Sequence, residues 1–155
     1  LNSAPNLYIT GETPEELDPH LLRQALQIFC ETLGLSGNIS AGLVFCTSDE
    51  MKELNRKYRG VDATTDVISF PADRQPGLFP SDETGGIYLG EILVDINQIF
   101  SASGTNERYK EFIPVFVHGL LHLSGYDHLN AQQKSAMQTM ENKILKLIGE
   151  DGTSE

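Results

Sequence analysis

Between His118 and His128 the chain reads HGLLHLSGYDH, eleven residues that hold three of its four histidines at offsets 0, 4 and 10, with a glycine at offset 7. On a helix, residues four apart share one face with Cβ atoms about 5–6 Å apart, so His118 and His122 can address one point in space. A glycine three residues past the second histidine can take the left-handed conformation that ends a helix. The spacing therefore predicts a helix that carries His118 and His122, stops at Gly125 and turns back to bring up His128. Three neutral imidazoles and one open position describe a catalytic zinc site better than a closed structural one. A lone histidine beside apolar residues is ordinarily a satisfied core or surface group. Three at ligand spacing, with a turning glycine, are not accounted for in that way.

This run matches the metzincin protease pattern H-E-x-x-H-x-x-G-x-x-H at every position but one. The exception is Gly119, where those proteases place the glutamate that takes a proton from metal-bound water. The motif thus keeps the metal ligands of a peptidase and lacks its general base.

A length of 155 residues with 39% hydrophobic content suits one domain with a real core. Its extent is expected at residues 7–149, followed by a flexible acidic tail at 150–155. The longest apolar stretches fall far short of the roughly 20 residues that span a bilayer, and no basic-then-apolar signal opens the chain. A soluble, cytoplasmic protein is expected. Cys30 and Cys46 show no CxxC pairing and read as buried free thiols. A net charge of −11 argues against indiscriminate nucleic-acid binding and gives no reason to expect DNA, so any RNA contact must be local.

Along the chain, Leu7 to Thr10 reads as a strand. Thr13 to Glu16 offers a capping box for a helix ending at Gly34, although Asp18-Pro19 could restart it. Ile39 to Thr47 reads as a strand, and Ser48 as the cap of a helix reaching Arg59. On that helix Met51, Leu54 and Tyr58 cluster on one face, while Lys52, Arg56 and Arg59 line the other. From Glu50 to Gly60 four cations face two anions, a local +2 in an acidic chain. Such a stripe is either an ordinary solvated face or a contact for an anion. Strands follow at Asp66 to Phe70 and Tyr88 to Ile96, joined by a Pro- and Gly-rich loop long enough to suggest a functional role. Asp95 to Gln98 could cap a short helix, and Ser101 to Asn106 forms a polar link. The histidine-bearing helix should begin near Thr105, with a kink or late start at Pro114. Asn130 and Gln133 cap a last helix whose stripe is Met137, Met140, Ile144 and Leu147, ending before Gly149. The order of elements predicts an α+β fold, a small mixed sheet of about four strands with helices packed on it and a metzincin-like metal helix.

The histidine run, with TDVISFP (Thr65 to Pro71) and LGEI (Leu89 to Ile92) upstream, resembles the YbeY family of metal-dependent endoribonucleases over about Leu7 to Ile148. The resemblance implies that His118, His122 and His128 hold one zinc ion, although imidazoles suit other divalent transition metals as well. It also implies that Arg59, in NRKYRGVDATTDVISFP, is catalytic, with Arg56 and Lys52 on the same basic face as substrate contacts. Single-stranded RNA cleavage in the maturation of 16S-type ribosomal RNA and in ribosome quality control is implied, as is a partner in the small ribosomal subunit or its proteins. The chain departs from the family pattern at Glu91, where many members carry aspartate, in the extended loop after Pro71 and at Pro114.

On this reading the ion acidifies a water or polarises a phosphoryl oxygen while Arg59 holds the scissile phosphate. Asp127, beside a ligand, either accepts a hydrogen bond from an imidazole, takes part in proton transfer or simply stabilises the turn. Tyr126 reads as packing. Two other functions fit the motif less well: a zinc peptidase-like hydrolase, and a non-catalytic ribosome assembly factor with a structural zinc.

Overall fold

The computed structural model describes residues 4–11, 13–15, 17–60, 66–72, 86–97, 108–126 and 129–153. Among them run four strands, β1 (Asn6–Gly11), β2 (Ile39–Cys46), β3 (Val67–Pro71) and β4 (Ile87–Asp95). The helices there are α1 (Pro19–Thr32), α2 (Ser48–Arg59), α3 (Arg108–Leu123) and α4 (Ala131–Thr153). The strands form one sheet in the order β1-β2-β4-β3. β1, β2 and β4 are parallel, and β3 lies antiparallel to β4 at the edge. This is the α+β architecture with a four-stranded mixed sheet that the sequence predicts. No helix among the described residues is long and apolar enough to cross a membrane.

Alternation along the strands sends side chains to two different cores. Leu43 and Phe45 of β2 and Ile92 and Val94 of β4 pack with Phe29 of α1, Phe112, Phe116 and Leu120 of α3, and Ile144 of α4. Burying side chains of this size stabilises the fold by about 1.5–3 kcal/mol each. The opposite face turns Cys46, Ile68, Phe70 and Leu93 towards Met51 of α2 in a smaller cluster. One bulge adjusts the pattern: Ser40 pairs with Tyr88 but Gly42 with Glu91, so β4 carries an extra residue at Leu89-Gly90. Leu89 and Ile92, three apart, consequently reach the same core. Gly90 has φ +133°, and a Cβ there would lie 2.2 Å from the Phe70 carbonyl oxygen, which only glycine tolerates.

Helix ends follow local chemistry, with shifts from expectation. Asp18 caps α1, its carboxylate accepting from the His20 N–H at 2.9 Å with Pro19 at the first helical position. The restart at Asp18-Pro19 is the one realised, and just before it the Leu17 N–H bonds the Pro14 carbonyl. Thr47, one residue before the expected Ser48, forms the capping box of α2 with Glu50. Ser48 instead donates to the buried Asp95 carboxylate at 2.7 Å. Asn130 caps α4 as expected, accepting from the Gln133 N–H at 2.8 Å, while the Gln133 side chain accepts from the Leu129 N–H. α4 runs past its predicted stop. Gly149 stays within the helix, whereas Gly34, Gly60 and Gly125 take positive φ and end theirs. α3 continues through Pro114, which is exposed. Its expected start near Thr105, the polar link at Ser101 to Asn106 and most of the loop between β3 and β4 (residues 73–85) lie outside the described residues.

Cys30 and Cys46 are buried and free. Burial, aided by Glu31, raises the Cys30 thiol to about 11. Burial, then Glu50 and Asp95, raises Cys46 to about 12. The folded state therefore favours the protonated thiols. Their contribution to stability is intact below the unfolded value of about 9 and is lost as pH climbs through 9 towards 11 and 12. Denaturant midpoints are expected to hold from pH 7 to 8.5 and to fall above pH 9.5, with a smaller fall in a Cys46→Ala variant. Equal falls in both proteins would remove Cys46 from the account.

Candidate functional site

α3 is pressed onto the sheet by Phe112, Phe116, Val117, Leu120 and Leu121, all fully buried. Gly119 faces the sheet, and a Cβ there would stand 2.9 Å from Cδ1 and 3.2 Å from both Cγ atoms of Ile92. His118 and His122 flank that contact on the partly exposed side of the helix. Their Nε2 atoms stand 3.1 Å apart, with ring centroids 4.7 Å apart and ring planes at 77°. The helix then ends as predicted: the Gly125 N–H bonds the His122 carbonyl, the Tyr126 N–H bonds the Leu121 carbonyl, and Gly125 takes φ +101°. Tyr126 packs against the core.

The other nitrogen of His118, Nδ1, meets Oε1 of Glu141 on α4 within hydrogen-bond reach. Facing a carboxylate, Nδ1 carries the hydrogen and donates it, which leaves the Nε2 lone pair directed at His122. Two nitrogens bound at about 2.0–2.1 Å to one tetrahedral zinc stand about 3.3 Å apart, close to the spacing found here. The donor set therefore fits a borderline divalent cation. Sequence reasoning misses Glu141. It lies four residues after Met137 and three before Ile144, inside the apolar stripe of α4, and a charge in such a stripe is the signal that points to it.

Among the described residues no group of three or more histidine, cysteine or carboxylate side chains converges. Asp127 and the third histidine, His128, lie outside the described residues, so the structure brings together two of the three expected ligands. Arg59 closes α2 and is followed by Gly60 at φ 72°, but its side chain falls outside the described set. Lys52 and Arg56 are exposed as expected, and Arg56 pairs with Glu53. Asn55, on the opposite side, is buried, a polar residue among the positions read as apolar.

These elements meet at one corner of the sheet. Tyr58, next to Arg59, stands edge-on to Phe70 with centroids 5.8 Å apart. Phe70 pairs with Glu91 and Pro71 with Gly90. On the other face Leu123, next to His122, lies over Gly90. The C-terminal ends of α2 and α3 thus flank the same end of the β3–β4 pair, from opposite faces.

Known proteins resemble this chain over most of its length. The family model described as Endoribonuclease YbeY matches residues 10–149. A protein named Endoribonuclease YbeY from Heliobacterium modesticaldum is 37% identical over 92% of this chain and 95% of its own length. Another of that name, from Lactiplantibacillus plantarum, is 31% identical over 90% of this chain and 92% of its own. The solution structure of TM1509 from Thermotoga maritima superposes with a TM-score of 0.57 at 29% identity, covering 96% of this chain and 92% of that one. Agreement that runs from the first strand into the last helix, in sequence and in fold, makes this chain a member of the YbeY endoribonuclease family.

Proposed function

We propose that the protein is a metal-dependent endoribonuclease that cleaves single-stranded ribosomal RNA during maturation and quality control of the small ribosomal subunit, in the cytoplasm. The observation that carries the metal reading is the pair of Nε2 atoms 3.1 Å apart, one belonging to a ring whose other nitrogen is engaged by a carboxylate. His118 and His122 are two of the ligands and His128, three residues beyond the turning Gly125, is the third. Three imidazoles suit zinc, as they suit other divalent transition metals. When bound, the ion supplies Lewis acidity towards a phosphoryl oxygen and towards water.

The protein's own side chains do the rest. Arg59, at the corner described above, binds the scissile phosphate through its guanidinium fork and offsets the negative charge that grows as the phosphorus becomes five-coordinate. Lys52 and Arg56 extend that face along the RNA backbone, and Asp127 supports a ligand imidazole. Because the chain carries a net charge of −11, affinity for free RNA is weak and falls steeply with salt, and the ribosomal subunit presents the substrate.

The test is metal analysis coupled to cleavage of a single-stranded RNA, with and without chelator. Activity should vanish with the metal and return on adding zinc; chelator-resistant cleavage would refute metal dependence. RNA binding by a metal-loaded protein that never cleaves would point to an assembly factor instead. Arg59→Ala is expected to lower the cleavage rate by about 10²–10³-fold while metal content stays at one per chain, the loss typical of removing one donor to a developing charge. Unchanged turnover would take Arg59 out of the mechanism. The ends of the products separate two routes for the attacking oxygen: a 2′,3′-cyclic phosphate means attack by the neighbouring hydroxyl, whereas its absence at early times means attack by water.

A further inference from the structure

We infer that Glu141 is a positioning residue for the metal ligand His118, a role that rests on the metal-site reading above. The starting point is an apparent conflict in α4. Met137 and Ile144 are buried against the core, and Glu141 sits between them on the same stripe, its side chain only 15% exposed. A carboxylate in that setting needs a partner, and Oε1 meets Nδ1 of His118 across the α3–α4 interface.

Three consequences follow for His118. The hydrogen is held on Nδ1, so the lone pair is kept on Nε2, the atom that faces His122. The ring is fixed about χ2 even though the side chain is 44% exposed, a degree of exposure that by itself leaves an imidazole free to turn. The carboxylate also adds negative charge beside an otherwise neutral set of imidazoles, which strengthens their donation to a cation. Glu141 meets the edge of the ring opposite Nε2, so it orients a ligand and is not the base for an attacking water. α4 thereby becomes part of the site: its register, set by Met137 and Ile144, determines where the Nε2 lone pair points.

The test uses the full chain, with zinc affinity measured by competition against a chromophoric chelator, visible absorption after cobalt(II) substitution, and thermal melting of the metal-free protein. Glu141→Ala should weaken zinc binding by about 10- to 100-fold and alter the cobalt spectrum. Glu141→Gln, whose amide oxygen still accepts from Nδ1 but carries no charge, should recover part of that loss. Metal-free melting of Glu141→Gln should stay within a few degrees of wild type. If both variants bind zinc as tightly as wild type, or if affinity follows melting temperature alone, Glu141 merely braces the two helices and the inference falls. If the wild type itself takes up neither zinc nor cobalt, the metal-site reading fails first and the role of Glu141 with it.

Discussion

Replacing His122 with alanine is expected to bring bound metal to background and RNA cleavage below detection. The His122 ring contributes one of two nitrogens that stand 3.1 Å apart, and its removal leaves one described imidazole where two converged. A chelating pair on one helix face binds more tightly than two separate imidazoles because the helix has already met the entropic cost of bringing them together. The fold should survive the change: His122 is half-buried in the last turn of α3, and alanine there keeps the helix. His20, exposed in the first turn of α1, supplies the control, and His20→Ala should keep both metal and activity. The measurements are metal stoichiometry, cleavage rate and melting temperature on the same preparations. Full metal content in an inactive His122→Ala would assign the residue to the chemistry rather than to ligation. Full activity would end its role altogether.

Features that depend on neighbours along the chain are legible in the sequence alone. The His118/His122 pair, the turn at Gly125 and the Asn130 cap all arise from contacts within a few residues, where spacing is geometry. Small errors at helix starts have a specific cause. Thr47 and Ser48 are both good caps, but only Thr47 has a glutamate three residues on, Glu50, to close a capping box, while Asp95, distant in sequence, takes the Ser48 hydroxyl. Thr13 and Asp18 are each followed by proline, so the local signal is the same at both, and Asp18 is the one whose carboxylate accepts from a helical N–H, that of His20. The bulge at Leu89-Gly90 cannot be read from the even apolar run of β4, since a strand buried on both faces shows no alternation to interrupt. Glu141 escapes notice for a related reason: its partner lies 23 residues away on another helix. In this chain the paired histidines are local and visible, whereas the carboxylate that meets one of them is tertiary and is not.

Gly119→Glu restores the one residue that separates the histidine run from the peptidase pattern, and it is expected to produce an unstable protein without peptidase activity. Position 119 is buried, and its missing Cβ points at Ile92, itself fully buried in the sheet. Ile92 cannot turn aside, because Cδ1 and both Cγ atoms all stand within 3.2 Å of that Cβ, and a β-branched residue has no rotamer that withdraws all three. An alanine there gains about 1 kcal/mol in helix propensity and loses about 1–3 kcal/mol to overpacking, so Gly119→Ala should be neutral to mildly destabilising. A glutamate adds an unpaired charge to an apolar contact, a loss on the order of 3–5 kcal/mol. That is a large part of a typical domain's margin of about 5–15 kcal/mol. Denaturant melts should show this order: wild type, then Gly119→Ala, then Gly119→Glu far below. Pairing Gly119→Ala with Ile92→Val, which removes the Cδ1 atom, should recover part of the alanine variant's loss, as a double-mutant cycle would show. A Gly119→Glu protein with wild-type stability would mean that the side chain escapes to the histidine side. A digest of a peptide library by that variant would then show whether the glutamate can act there as a base. Under the packing seen here it cannot reach that side, and a small residue at 119 serves the helix–sheet contact as well as leaving out a protease's general base.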